Sequence, residues 1–235
     1  VTAQGSQLLI SVRSAAEAAS ILGEPVGLID IKDPFRGPLG RASDATINAV
    51  LDVVNHRVPV SAALGELIDF TNIDGLPLDR LAYVKLGLSR LGDHEDWRDR
   101  LLAVRNDIER HGTCRLVAVA YADWRRAGAP SPANVAALAT SRHFGAFLID
   151  TWGKDGSTLR DWMRLEEIEG WCRHFRAAGI PLALSGALTV EDIRDMVGLQ
   201  PAWFAVRGGA CGDGDRKHDI EPARVRTLVA ALHSP

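Results

Sequence analysis

Lysine is scarce in this chain: of 27 basic residues, 23 are arginine and only Lys32, Lys85, Lys154 and Lys217 are lysine. Arginine stays charged at any ordinary pH, whereas a lysine amine can lose its proton and act as a nucleophile or base. A high-GC genome also favours arginine codons, so the bias draws attention to the lysines without assigning them a role. Lys32 lies in LIDIKDPFRGPLG, residues 28–40, an apolar run that turns charged and then breaks on Pro and Gly. If the run is a strand, Asp30 and Lys32 share one face, roughly 6–7 Å apart. A carboxylate and an amine at the mouth of a buried strand are costly to desolvate unless they pair or do chemistry. Two readings follow for Lys32: a salt bridge with Asp30 or Asp33, or reactivity.

Amines gathered near other cations, or partly desolvated, have their neutral form favoured, and attack on a carbonyl needs that form. The iminium so formed withdraws electrons from the next carbon, where proton removal and carbon–carbon bond formation become accessible. Lys85 reads either as part of such a cluster or as a cation buried against a carboxylate. Asp150 and Lys154 either join it or staple a turn. Lys217, in GDGDRKHD, reads as a solvated charge.

These residues need a frame that brings them together. Strands are predicted at Leu8–Val12, around Asp30–Lys32, and at Val58–Leu64, Leu81–Leu88, Leu116–Ala122, Ala146–Asp150, Pro181–Leu184 and Trp203–Val206. Helices alternate with them: after Ser14 to Gly23, from Ser43 and Asp44 to Asn55, His94 to Glu109, from Ser131 with Pro132 at its first turn, Leu159 to Ala178, after Thr189, and Pro222 to Leu232. Glu66 to Arg80 carries scattered Asp, Asn, Gly and Pro and no long amphipathic period, so a short helix or a loop is expected there. Eight alternations, one defective, in a chain near the ~250 residues usual for the architecture predict an α/β fold, a single (β/α)8 barrel over residues 1–235. A doubly wound sheet would place a Gly-rich fingerprint after strand one, and Ser11, Val12 and Arg13 do not provide it.

Such a barrel holds its active site at the C-terminal ends of the strands. Asp30, Lys32, Asp123, Asp150, Lys154, Ser185 and Arg207 fall at or just beyond those ends, and Lys85 falls within strand four. Ser185, Gly186 and Ala187 precede a helix, while Arg207, Gly208 and Gly209 offer a small-residue turn and a guanidinium. In this class those loops commonly hold phosphate on backbone N–H groups. A tight turn alone explains the glycines; their position favours a phosphorylated substrate.

The net charge of −3 gives no reason to expect nucleic acid or an anionic membrane as partner. No apolar run approaches the ~20 residues that span a bilayer, and VTAQGSQ lacks a signal peptide's regions, so the cytoplasm is the expected location. Cys114, Cys172 and Cys211 are scattered and read as reduced structural thiols. The seven histidines form no HxH or HExxH pair, so no metal is expected, and no nucleotide fingerprint appears.

Taken together, DIKDPFRGPLG at 30–40, YVKLGL at 83–88, YADWRRAG at 121–128, LIDTWGKDGSTL at 148–159, LSGAL at 184–188 and VRGGACGDGDR at 206–216 resemble the (5-formylfuran-3-yl)methyl phosphate synthase family, in order over nearly the whole chain from Leu8. The resemblance implies a TIM barrel that joins two glyceraldehyde 3-phosphate molecules into a phosphorylated furan aldehyde, an early intermediate of methanofuran-type C1 carriers in methanogens and methylotrophs. It implies Lys32 as the Schiff-base lysine, Lys85 as the proton-transfer residue, and Asp30, Asp150 and Lys154 as the remaining polar catalytic positions. Asp30 would orient Lys32 and tune its charge. The shorter 66–80 segment departs from methanogen members and looks like the bacterial methylotroph branch. No cofactor is expected, and a homo-oligomer is. Alternative functions are a class I aldolase or triose-phosphate isomerising barrel, and a non-catalytic barrel that binds sugar phosphates.

Overall fold

Eight short runs of apolar residues pair in parallel, each with its neighbour in sequence, and the last returns to the first. The computed structural model describes residues 5–233. The strands are β1 (Gln7–Val12), β2 (Leu28–Ile31), β3 (Val60–Glu66), β4 (Tyr83–Gly87), β5 (Arg115–Tyr121), β6 (Ala146–Asp150), β7 (Leu182–Leu184) and β8 (Trp203–Val206), closed in the order β1 to β8. Leu8 and Ile10 pair with Phe204 and Val206 to complete the barrel. The residues 1–4 on which part of the signal-peptide reading rests lie outside the described residues. Among the described residues no helix is long and apolar enough to cross a membrane.

The two-residue period of a strand sorts side chains between two cores. Leu8, Ile10, Val12, Ile29 and Ile31 point outward into the apolar layer under the helices. Leu9, Leu28 and Ala205 point inward, floored by Tyr83 and Trp203, whose rings meet edge to face at 5.8 Å. Burying each large outward side chain contributes roughly 1.5–3 kcal/mol. The same alternation turns Asp30 and Ser11 into the barrel, because Ile29, Ile31, Ile10 and Val12 face out.

The helices are α1 (Ala15–Ile21), α2 (Asp44–Val54), α3 (Trp97–Arg110), α4 (Trp124–Ala127), α5 (Pro132–Ser141), α6 (Leu159–Trp162), α7 (Leu165–Ala177), α8 (Val190–Met196) and α9 (Pro222–Ala231). Ser14, Ser43 and Ser131 cap α1, α2 and α5 by accepting from the amides of Glu17, Thr46 and Asn134. Thr189 and Asp192 form a reciprocal capping box on α8.

Between β3 and β4 the chain makes one 3-10 turn, Leu67–Asp69, and then runs as loop, as the composition of 66–80 suggests. The helix predicted from Leu159 to Ala178 is instead two. Met163 is extended (φ −133°, ψ 131°) and buried, and α7 restarts after Arg164. The Leu159 amide donates to the Gly186 carbonyl at 2.8 Å, which moors the start of α6 to the loop after β7. The helix predicted from His94 starts three residues later, at Trp97, and α4 is an additional turn just past β5.

Candidate active site

Inside the barrel, apolar layers give way to a polar one toward the C-terminal ends of the strands. Ser11, Asp30 and Ser61 stand level, paired across β1, β2 and β3. Asp30 is fully buried and accepts from Ser11 Oγ at 3.0 Å, Ser61 Oγ at 2.7 Å and Lys85 Nζ at 2.8 Å. Lys85, 4% exposed, pairs with Ala63, two residues beyond the Ser61–Tyr83 pair, which puts its amine above the floor formed by Tyr83. The pair is enclosed, and its three donors satisfy a carboxylate that would otherwise be costly to bury.

The pairing of Asp30 with Lys32 expected from the sequence is therefore not found; Lys85 takes that place. Residues i and i+2 of one strand lie roughly 6–7 Å apart, whereas neighbouring strands lie about 4.8 Å apart, so the hydroxyls of the adjacent β1 and β3 reach the carboxylate first, and the longer Lys85 side chain reaches it across β3 from β4.

Lys32 follows β2 by one residue, and its amide still bonds the Val12 carbonyl at 3.0 Å, so the side chain keeps the inward phase of the strand. It is 7% exposed, and among the described residues its Nζ makes no ion pair or hydrogen bond. Burial lowers its pKa to about 7; Lys85 and Arg216 push the same way, against the opposing pull of Asp150 and Asp30.

Asp150 ends β6 and is buried. Burial alone would raise its pKa, but Lys154 and Lys32 outweigh that and hold it below the ordinary carboxylate value. Lys154 Nζ donates to Asp150 Oδ1 at 3.1 Å, to the Thr151 carbonyl at 2.6 Å and to Thr151 Oγ1 at 3.3 Å. Those three contacts use the three N–H groups of the ammonium. The loop carrying it is held by Asp123, which accepts from the amides of Trp152 at 2.6 Å and Gly153 at 2.8 Å.

Beside these residues, a cavity of about 200 Å3 is lined by Lys32, Lys154, Ser185, Gly208, Gly209 and Arg216. Gly186 (φ 112°) and Ala187 (φ 48°) both take positive φ before the N-cap of α8. The left-handed region costs a non-glycine residue about 1–3 kcal/mol, so this turn is held against local preference. Among the described residues the amides of Gly186, Ala187, Gly208 and Gly209 have no acceptor. A Cβ on Gly208 would lie 2.9 Å from the Gly214 carbonyl, so only glycine lets the loop that follows β8 fold this closely over the cavity. Unpaired amides and cations around one cavity suit an anion.

The sequence profile described as 4-HFC-P synthase matches residues 8–229. The chain belongs to this family. It is 30% identical over 233 residues to the (5-formylfuran-3-yl)methyl phosphate synthase of Methanopyrus kandleri, covering 96% of this chain and 98% of that protein. Identity to the protein of the same name from Methanothermobacter thermautotrophicus is 28% over 234 residues, 97% and 99% of the two chains. Among solved structures, phosphoribosyl anthranilate isomerase from Thermotoga maritima superposes with a TM-score of 0.66 at 14% identity over 97% of this chain and 98% of that one. At that identity the likeness is one of fold.

In this member of the 4-HFC-P synthase family, Asp30, Lys32, Lys85, Asp150 and Lys154 all reach the barrel interior or its mouth. Arg207 does not offer its guanidinium to the cavity. It is 6% exposed, and its five N–H donors meet five acceptors: Nε the Arg216 carbonyl (2.9 Å), Nη1 the Ser11 carbonyl (3.0 Å) and Glu17 Oε2 (2.5 Å), Nη2 Glu17 Oε1 (3.0 Å) and the His218 carbonyl (3.1 Å). It is a tie between β8, β1, α1 and the 211–219 loop, and the sequence expectation of a phosphate-facing arginine at 207 is corrected accordingly.

Sequence reasoning passed over Ser11, Ser61, Glu17, Arg216 and the pair of buried Tyr121 with half-buried Glu66, in which the phenol O–H donates to Glu66 Oε1 at 2.7 Å. Burial, with the Glu66 carboxylate adding to it, raises the Tyr121 pKa well above the ordinary value, so the phenol stays protonated. A signal was present for the serines, polar residues at inward positions of otherwise apolar strands. For Arg216 none was, since it sits in a loop rich in other charges.

Proposed function

We propose that the protein is a (5-formylfuran-3-yl)methyl phosphate synthase that condenses two glyceraldehyde 3-phosphate molecules through an imine on Lys32, in the biosynthesis of methanofuran-type or methylofuran-type C1 carriers. The observation that carries this reading is the state of Lys32: buried, unpaired among the described residues, and with a pKa lowered to about 7. About half of such an amine is neutral at pH 7, against well under a thousandth for an unperturbed lysine. Membership of the 4-HFC-P synthase family supports the reading.

The neutral amine adds to the aldehyde of one triose and water leaves, giving an iminium. The iminium acidifies the adjacent C–H; loss of that proton allows the phosphate on the next carbon to depart. Bond formation to the second triose and further losses of water close the furan, and hydrolysis of the imine releases the product. Two trioses then yield one product, one phosphate and two waters, with no net oxidation or reduction. Lys85, tied to Asp30, serves as the proton-transfer group below Lys32. Asp150, held anionic by Lys154, faces the iminium and stabilises its charge. Ser185 and the free amides of Ala187, Gly208 and Gly209 receive the retained phosphate.

Borohydride reduction in the presence of glyceraldehyde 3-phosphate, followed by peptide mass mapping, tests the reading. A single adduct on Lys32 is expected, together with ultraviolet absorption of a furan aldehyde under turnover. An adduct confined to another lysine, or a product without that absorption as an aldolase or isomerase would give, overturns it.

A further inference from the structure

Four cations border the cavity: Lys32, Lys154, Arg207 and Arg216. Three of them are not available to an anion. Lys154 spends its three donors on Asp150 and Thr151, Arg207 spends its five on Glu17 and three carbonyls, and Lys32 lies too near neutrality to serve as a fixed charge. Arg216 differs from all of them. Its guanidinium makes one hydrogen bond among the described residues, from Nη2 to the Gly37 carbonyl at 2.9 Å, and none of its remaining nitrogens is sealed away from solvent without a partner. Four of its N–H groups therefore have no protein acceptor among the described residues, on a side chain that lines the cavity.

We propose that Arg216 is the side chain that grips the substrate phosphate in this cavity, and that Arg207 and Glu17 act as positioning residues for it. The inference rests on the reading of the cavity as a sugar-phosphate site. A planar fork of N–H donors matches two phosphate oxygens at once, which a backbone cradle alone does not. The positioning is visible in the backbone: Arg207 Nε holds the Arg216 carbonyl, and Glu17, which accepts from both Arg207 and Arg13, gathers the same loop through Arg13 Nη1 on the Lys217 carbonyl at 2.7 Å and Arg13 Nη2 on Asp219 at 2.5 Å. The bond to Gly37 joins this loop to the one after β2, so Arg216 bridges the cavity beside Lys32.

The test pairs the KM for glyceraldehyde 3-phosphate with thermal unfolding in inorganic phosphate, for the full-length wild type, Arg216→Gln and Arg216→Lys. Loss of a charge-assisted bidentate contact predicts a rise in KM of about tenfold or more in Arg216→Gln. Stabilisation of the wild type by phosphate should disappear in Arg216→Gln and survive in part in Arg216→Lys, with unliganded melting temperatures close to one another. Phosphate stabilisation and KM unchanged in Arg216→Gln, or no stabilisation of the wild type, overturn the proposal. Phosphate stabilisation that depends on Arg216, in a wild type that makes no furan aldehyde, leaves this assignment standing and removes the reaction assigned above.

Discussion

Replacing Lys32 by methionine keeps a side chain of similar length while removing the amine, and the consequence for stability can be worked out from its environment. In the unfolded chain the amine titrates near 10.5, and in the barrel near 7. That fall, at about 1.4 kcal/mol per pH step, amounts to about 5 kcal/mol of unfavourable free energy for holding the protonated form in the folded state. Between the two values the unfolded chain binds more protons than the folded one, so wild-type stability rises with pH across that window. Below about pH 7 both states are protonated, and the full cost is present. Lys32→Met should therefore stabilise the protein by about 5 kcal/mol at pH 6, the gain shrinking to roughly 2 kcal/mol near pH 9 and closing by the unfolded pKa. Urea unfolding of both proteins across that range, followed by circular dichroism, measures the difference. A variant less stable than the wild type at low pH, or a difference that does not shrink as pH rises, would refute the account of a desolvated amine. The same variant should form no borohydride adduct, so stability gained and chemistry lost would trace to one residue.

Two further substitutions probe the frame around the cavity. Glu17→Gln leaves the Arg207 guanidinium buried without its counter-charge, and a loss of about 3–5 kcal/mol in urea unfolding is expected; a change under about 1 kcal/mol would mean that the carbonyls alone hold it. Gly208→Ala places a methyl against the Gly214 carbonyl and must push the 211–219 loop outward. Its KM for glyceraldehyde 3-phosphate should rise severalfold while Lys32 remains open to trapping by an aldehyde without phosphate, and an unchanged KM would show that the loop does not close on the substrate.

The placement of the strands and most helices was legible because period and caps are local properties. Ser14, Ser43, Ser131 and Thr189 start their helices as their hydroxyls require, and the apolar runs that form β1 to β8 are short and bounded by turn residues. The break at Met163 was not legible. Leu159 to Ala178 has a helical composition throughout, with no Pro or Gly near residue 163 to mark the extended residue, while the start of α6 is tied to the distant Gly186 carbonyl through the Leu159 amide.

The sequence by itself determined which residues reach the rim: scarcity singled out the lysines, and the two-residue period of β2 turned Asp30 and Lys32 inward together. Who bonds to whom there was decided by the tertiary structure. Closing the barrel brings Ser11, Ser61 and Lys85 within hydrogen-bond reach of Asp30 from three other strands, and so leaves Lys32 without a partner among the described residues. Likewise, five acceptors from Ser11, Glu17, Arg216 and His218 converge on Arg207 only once β8 lies against β1, and they leave Arg216 open to the cavity. The physical reason is the same in both cases. Spacing along a chain fixes the face a side chain takes, but its charge state and free donors depend on groups that only folding brings near.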